Sequence, residues 1–174
     1  MHLARAALRT RGSAADLVAK IERAESVASD SILDALICAS DAVMVARGDL
    51  GIEVHVEELP IIQRRIVKRC HQLGRRVIVA THMLESMTEN PTPTRAEVTD
   101  VSNAVYEEAD AIMLSGETTV GKYPIRCVQL MDRVARRIER SGGLGYGKEA
   151  TLRTEKQKVI QAACGLADSI PHAA

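Results

Sequence analysis

Residues 43–52 read Val-Met-Val-Ala-Arg-Gly-Asp-Leu-Gly-Ile. An apolar run of β type stops abruptly at Arg47, Gly48 and Asp49. Two further runs, Val77–Ala80 and Ala111–Leu114, each begin 34 positions after the one before and also end in polar residues. An earlier run, Leu17–Ile21, carries Lys20 near its end and Glu22 just beyond it. Apolar strands whose C-terminal ends converge on charged and hydroxyl groups describe one side of a parallel α/β active site.

The segments between these runs have helical spacing. Residues 2–11 are predicted helical, with Gly12 marking their end, and Ser31–Cys38 forms a short helix. In Pro60–Leu73, Ile62, Ile66, Cys70 and Leu73 recur on one face and Gly74 stands where a C-cap belongs. A helix is expected over Thr94–Glu107, after the Pro91 and Pro93 loop. Pro124–Arg140 begins with proline in its first turn and aligns Ile125, Val128, Met131, Val134 and Ile138. Gly142, Gly143, Gly145 and Gly147 predict a flexible connector, and Thr154–Ser169 one more helix. Alternating strands and helices imply an α/β fold with a parallel sheet and right-handed crossovers. A complete (β/α)8 TIM barrel needs about 250 residues. Four βα units in 174 residues therefore fit half of such a barrel, followed by a linker and one helix.

Composition narrows the function classes. Hydrophobic residues make up 46% and charged residues 26%, which argues against disorder. Aromatics are only 2%, so the core must be Val, Ile, Leu, Ala and Met, as suits buried parallel strands. The 23 basic and 23 acidic residues cancel without a basic block, which disfavours nucleic acid. The apolar runs are too short to span a membrane, and the N-terminus lacks the apolar core of a signal peptide. Cys38, Cys70, Cys127 and Cys164 show no metal-type spacing and read as reduced thiols of a cytoplasmic protein.

The strand ends hold the candidate chemistry. Lys20 and Glu22 are two apart, so a strand points both to one face, with Ala19 and Ile21 on the other. The ammonium can neutralise substrate charge while the carboxylate binds a hard cation; the competing reading is an exposed surface ion pair. Asp49 offers a second carboxylate, enough for Mg²⁺, which takes one or two protein carboxylates plus substrate oxygens and water. Gly48 allows close approach of the backbone, and the Gly48 and Asp49 amides can face an anion. Alternatively Gly48-Asp49 is a turn, with Asp49 as an N-cap. Thr81 offers a hydroxyl for a carboxylate or a proton relay, with the His82 imidazole beside it; both also read as a capping Thr and a loop His. Ser115, Gly116 and Glu117 close the fourth strand. Arg95 can reach a phosphate, or pair with an acid such as Glu97 or Asp100 within its own helix.

Together these segments resemble pyruvate kinase. The matching stretches are Ala19-Lys-Ile-Glu22, Met44-Val-Ala-Arg-Gly-Asp-Leu-Gly-Ile52, Ala80-Thr-His-Met-Leu-Glu-Ser-Met87, Asn90-Pro-Thr-Pro-Thr-Arg-Ala-Glu97 and Ile112-Met-Leu-Ser-Gly-Glu117. The resemblance implies phosphoryl transfer from phosphoenolpyruvate to ADP, giving pyruvate and ATP in glycolysis. It implies that Lys20 neutralises the transferring phosphoryl group and the enolate. It makes Glu22 and Asp49 the ligands of Mg²⁺ or Mn²⁺. Arg47, Gly48 and Asp49 would contact substrate, the two amides holding its carboxylate. Thr81 would bind substrate and link to the proton relay. Many family members have Gln where this chain has His82. Residues 1–141 would be the second half of the catalytic barrel, 142–153 a linker, and 154–174 the first helix of the C-terminal domain. The first four barrel strands, the potassium ligands, the ADP-gripping basic residues and the effector sites would then lie outside this stretch. A homo-oligomer is expected, and an isolated fragment would be inactive or nearly so. Two other readings compete: a Mg²⁺-dependent lyase acting on pyruvate enolates, and a non-catalytic paralogue that binds a full-length kinase.

Overall fold

The structure is a computed structural model that describes residues 1–146 and 151–170. Helix α1 (His2–Thr10) precedes strand β1 (Val18–Ile21), α2 (Asp30–Cys38) and β2 (Ala42–Ala46). A short helix α3 (Arg47–Glu53) leaves β2 directly and leads to α4 (Leu59–Leu73) and β3 (Arg76–Ala80). Then follow α5 (Arg95–Tyr106), β4 (Ala111–Met113), α6 (Gly116–Thr119), α7 (Pro124–Glu139) and α8 (Glu155–Ser169). The four strands pair in parallel and in sequence order, β1-β2-β3-β4, and the sheet is not closed. This is the α/β arrangement that four successive βα units require.

One face of the sheet is covered. Ala19, Val43 and Val77 form one buried row, and Ile21, Val45 and Val79 the next. Leu33 and Ile37 of α2, Ile66, Val67 and Cys70 of α4, and Val101 and Ala104 of α5 complete that core. The alternate positions Val18, Lys20, Met44, Ile78, Ala111 and Met113 are exposed or half-buried, and only Ala46 and Ala80, next to the strand-end turns, are buried on this face. Parallel sheets are ordinarily covered on both faces. The bare face is what an unclosed barrel wall presents.

Local chemistry sets the helix ends. Gly74 caps α4 in the left-handed conformation at φ 66°, as its position after Leu73 predicts. The Thr94 hydroxyl accepts from the Glu97 amide while the Glu97 carboxylate accepts from the Thr94 amide, a reciprocal cap on α5. Thr154 and Gln157 repeat the device on α8. Two amides at the start of the glycine-rich connector are held by the preceding unit. The Leu144 amide donates to the Tyr106 carbonyl at 3.0 Å, and the Gly145 amide to the Glu108 carboxylate at 2.7 Å. Tyr146 is buried beside the His71 ring. Gly147 lies outside the described residues. All four cysteines are free, with Cys70 and Cys127 buried.

Two isoleucines of α4 separate core from surface: Ile66 is fully buried, whereas Ile61 is 62% exposed. Ile66→Ala is expected to lower unfolding free energy by about 2–5 kcal/mol. Ile61→Ala should change it by less than about 0.5 kcal/mol. Urea unfolding of both variants checks this, and equal losses would show that α4 does not face the sheet in this way.

Candidate active site

Three strand ends meet at one end of the sheet. Lys20 is the next-to-last residue of β1 with Glu22 just beyond the strand, Arg47, Gly48 and Asp49 form the first turn of α3, and Thr81 and His82 follow β3. The Lys20 Nζ donates to Asp49 Oδ2 at 2.8 Å and also to a Glu22 carboxylate oxygen. One ammonium therefore stands between two carboxylates that converge on a single cation. The bond to Asp49, and then that to Glu22, raises the Lys20 pKa to about 12. The same ammonium holds the Asp49 carboxyl below its usual range. The side chains are 50%, 36% and 57% exposed for Lys20, Glu22 and Asp49. Ion pairs this exposed contribute little to stability, so folding does not explain the cluster. The helix-cap reading of Asp49 is overturned: the cap position is Ala46, and Asp49 is the third helical residue.

Thr81 and His82 adopt left-handed backbone conformations, at φ 69° and 54°. Two successive non-glycine residues there are uncommon and store strain. The Thr81 hydroxyl accepts from the Gly48 amide at 2.9 Å and donates to the Ala80 carbonyl at 2.8 Å. Gly48 and Thr81 are thus in direct contact. A Cβ on residue 48 would meet His82 Cε1 at 2.9 Å, so any larger residue there has to displace the His82 ring.

Arg47 is a residue of this set for which the resemblance implies substrate contact through the α3 turn. Its side chain is 9% exposed and turns into the fold. Nε donates to the Ala80 carbonyl at 3.3 Å, Nη2 to the Thr81 carbonyl at 2.7 Å and Nη1 to Asp100 Oδ1 at 2.6 Å. The sequence held the signal: Arg47 continues the alternation of Val43 and Val45, the face that the helices cover. Asp100 and Glu97 were expected as partners for Arg95 within α5. Instead Asp100 holds Arg47, and Glu97 accepts from Thr94 and from the Ser86 amide and hydroxyl.

Two acids are buried, which their positions in the sequence did not indicate. Glu117 is fully buried and accepts from the Leu84 amide at 2.9 Å and the Ser115 amide at 2.8 Å, joining the loops after β3 and β4. Glu107 accepts from the buried Gln63 Nε2 at 2.8 Å and from Arg64 at 3.1 Å. Gln63 was the clue, a polar residue between Ile62 and Ile66 on the buried side of α4.

The donor set fits a hard divalent cation. Among the described residues no three His, Cys, Asp or Glu side chains form a metal cluster; the two carboxylates that meet at the Lys20 ammonium are Glu22 and Asp49. Mg²⁺ binds in this way when substrate and water complete its shell, whereas structural zinc needs four ligands.

The family model described as "Pyruvate kinase, barrel domain" matches residues 1–128. The chain belongs to the pyruvate kinase family. Pyruvate kinase of Buchnera aphidicola is 55% identical over 129 residues, 74% of this chain and 27% of that protein. Pyruvate kinase of Geobacillus stearothermophilus is 46% identical over 159 residues, 91% and 26% respectively. The chloroplastic pyruvate kinase isozyme G of Ricinus communis is 55% identical over 125 residues, 72% and 29%. The chain thus spans little more than a quarter of the length of these pyruvate kinases. Each of the three is named a pyruvate kinase, and the lyase reading finds no support.

Removing the ammonium should release the Asp49 carboxyl. In Lys20→Met its pKa is expected to rise toward the ordinary value of about 3.9, followed by carbon NMR through an acid titration. No movement would mean that the two groups do not interact in solution. Gly48→Ala should push the His82 ring aside and perturb the Thr81 amide resonance, and adding His82→Ala should largely restore it. An unperturbed Thr81 in the single variant would contradict the close approach.

Proposed function

We infer that these strand ends form the cation-binding and enolate-binding part of a pyruvate kinase site. The observation that carries this reading is the single ammonium of Lys20 held between Glu22 and Asp49, beside the Gly48–Thr81 contact. Glu22 and Asp49 would hold Mg²⁺ or Mn²⁺. That ion supplies charge neutralisation for phosphoryl and carboxylate oxygens when bound.

The protein's own residues divide the remaining work. Lys20 is cationic through the physiological range, its ammonium stabilised by both carboxylates. It therefore adds a fixed positive charge where a transferring phosphoryl group or an enolate oxygen would stand. The Gly48 and Asp49 amides lie in the first turn of α3, where helical amides lack an acceptor within the helix. They suit a substrate carboxylate. The Gly48 N–H would then be shared between two acceptors, Thr81 Oγ1 and that carboxylate. The Thr81 hydroxyl can both donate and accept, as binding the three-carbon acid and passing a proton require. Arg47 keeps its guanidinium within the protein and takes no substrate in this reading.

The substrates are phosphoenolpyruvate and pyruvate, with ADP and ATP as the nucleotide pair of the complete enzyme. Grip on the nucleotide, the potassium ligands and subunit assembly are not assigned to residues of this chain. Glycolysis and a cytoplasmic setting fit this chemistry, although one relative is a chloroplastic isozyme. Among the described residues no helix is long and apolar enough to cross a membrane.

Cation uptake tests the reading. Mn²⁺ titration followed by electron paramagnetic resonance should show one site in the 174-residue chain. Glu22→Gln and Asp49→Asn should each weaken it about tenfold or more, and Lys20→Met should tighten it by removing the competing ammonium. A chain that takes up no Mn²⁺, or variants that bind as the wild type does, would contradict it.

A further inference from the structure

We propose that Arg47, anchored by Asp100, is a positioning residue that holds the left-handed Thr81–His82 turn and thereby sets where the Thr81 hydroxyl stands. The functional consequence rests on the reading of the site given above; the positional claim rests on the geometry alone.

Arg47 grips the turn from its base. Nε donates to the carbonyl of Ala80, the last residue of β3, and Nη2 donates to the carbonyl of Thr81 itself. Nη2 also lies 3.2 Å from the Met83 sulfur on the far side of the turn. Nη1 donates to Asp100 at 2.6 Å, which ties the guanidinium to α5. The next residue completes the hold, because the Gly48 amide donates to the Thr81 hydroxyl. Residues 47 and 48 thus fix the two oxygens of Thr81, carbonyl and hydroxyl, from one strand end.

The choice of residue follows from this geometry. Thr81 and His82 carry the conformational cost of positive φ that glycine would avoid, so the surroundings must impose it. A guanidinium presents several N–H groups in a rigid planar fork and can meet two successive carbonyls and a carboxylate at once. A lysine ammonium is a compact charge on a flexible stem and cannot hold those three acceptors in one plane. A merely structural ion pair would need Asp100 and nothing from the turn. Here the turn supplies two carbonyl acceptors and α5 supplies one carboxylate oxygen.

The test uses the whole chain with Arg47→Met, Arg47→Lys and Asp100→Asn. Amide hydrogen exchange by NMR compares Gly48 with the strand amides of Val45 and Val79. In Arg47→Met the Gly48 amide should exchange about tenfold faster while the strand amides keep their protection, a local opening rather than global loss. Arg47→Lys should fail to restore it. Asp100→Asn should fall between, and it carries the test if Arg47→Met does not fold. Pyruvate binding in the presence of Mg²⁺, followed on the same spectra, should weaken in step with the Gly48 exchange. Gly48 exchange that is unchanged, or that rises only together with Val45 and Val79, would overturn the proposal. A wild-type chain that takes up no Mn²⁺ would sink the functional reading instead, and the exchange rates would still decide the role of Arg47.

Discussion

The parallel hydrogen-bond ladder fixes everything that the strand ends do. Its register pairs Lys20 with Met44, Ile21 with Val45, and Ala46 with Ala80. Arg47 and Thr81 are therefore the first residues beyond the same rung, and the Arg47 fork meets the Ala80 and Thr81 carbonyls without reaching. The same register leaves Lys20 within 2.8 Å of Asp49, one strand over. Side chains alternate along a strand, so a slip of one residue exchanges the two faces. Lys20 would then point among the helices and Ile21 toward the site. The fully buried Ile21, Val45 and Val79 prevent this, because the slip would put all three in water. Packing on one side of the sheet thus determines the chemistry on its end.

The charged groups fall into two kinds. Lys20, Glu22 and Asp49 stay in water, where their mutual attraction is screened and contributes little to folding. They remain available to exchange partners with an incoming cation or anion. Arg47, Glu107 and Glu117 are buried, and each is satisfied by several hydrogen bonds. A buried charge without partners would be strongly unfavourable. Those bonds join β2 to β3 and α5, α4 to the end of α5, and the loop after β3 to the loop after β4. The exposed charges rest on loops that the buried ones hold still.

Much of this was legible in the sequence because it is local. The strand runs, Gly74 after α4, Pro124 at the start of α7 and the Lys20–Glu22 alternation each depend on a few neighbouring residues. The inward turn of Arg47 was harder to see, since a charged residue at a strand end resembles a ligand until its acceptors are known. Those acceptors are 33, 34 and 53 residues away. Glu117 is likewise buried by residues from a different loop, and the glycine connector is pinned by Tyr106 and Glu108 of the preceding unit. Long-range partners decide all three, and spacing along the chain does not show them.

Strand ends that act as proposed would stabilise an enolate. Exchange of the pyruvate methyl protons in deuterated buffer with Mg²⁺, read by proton NMR, tests this without ADP and without phosphoryl transfer. The account predicts catalysed exchange by the 174-residue chain that is lost in Lys20→Ala. Exchange no faster than in buffer, with Mn²⁺ binding intact, or equal exchange in Lys20→Ala, would contradict it.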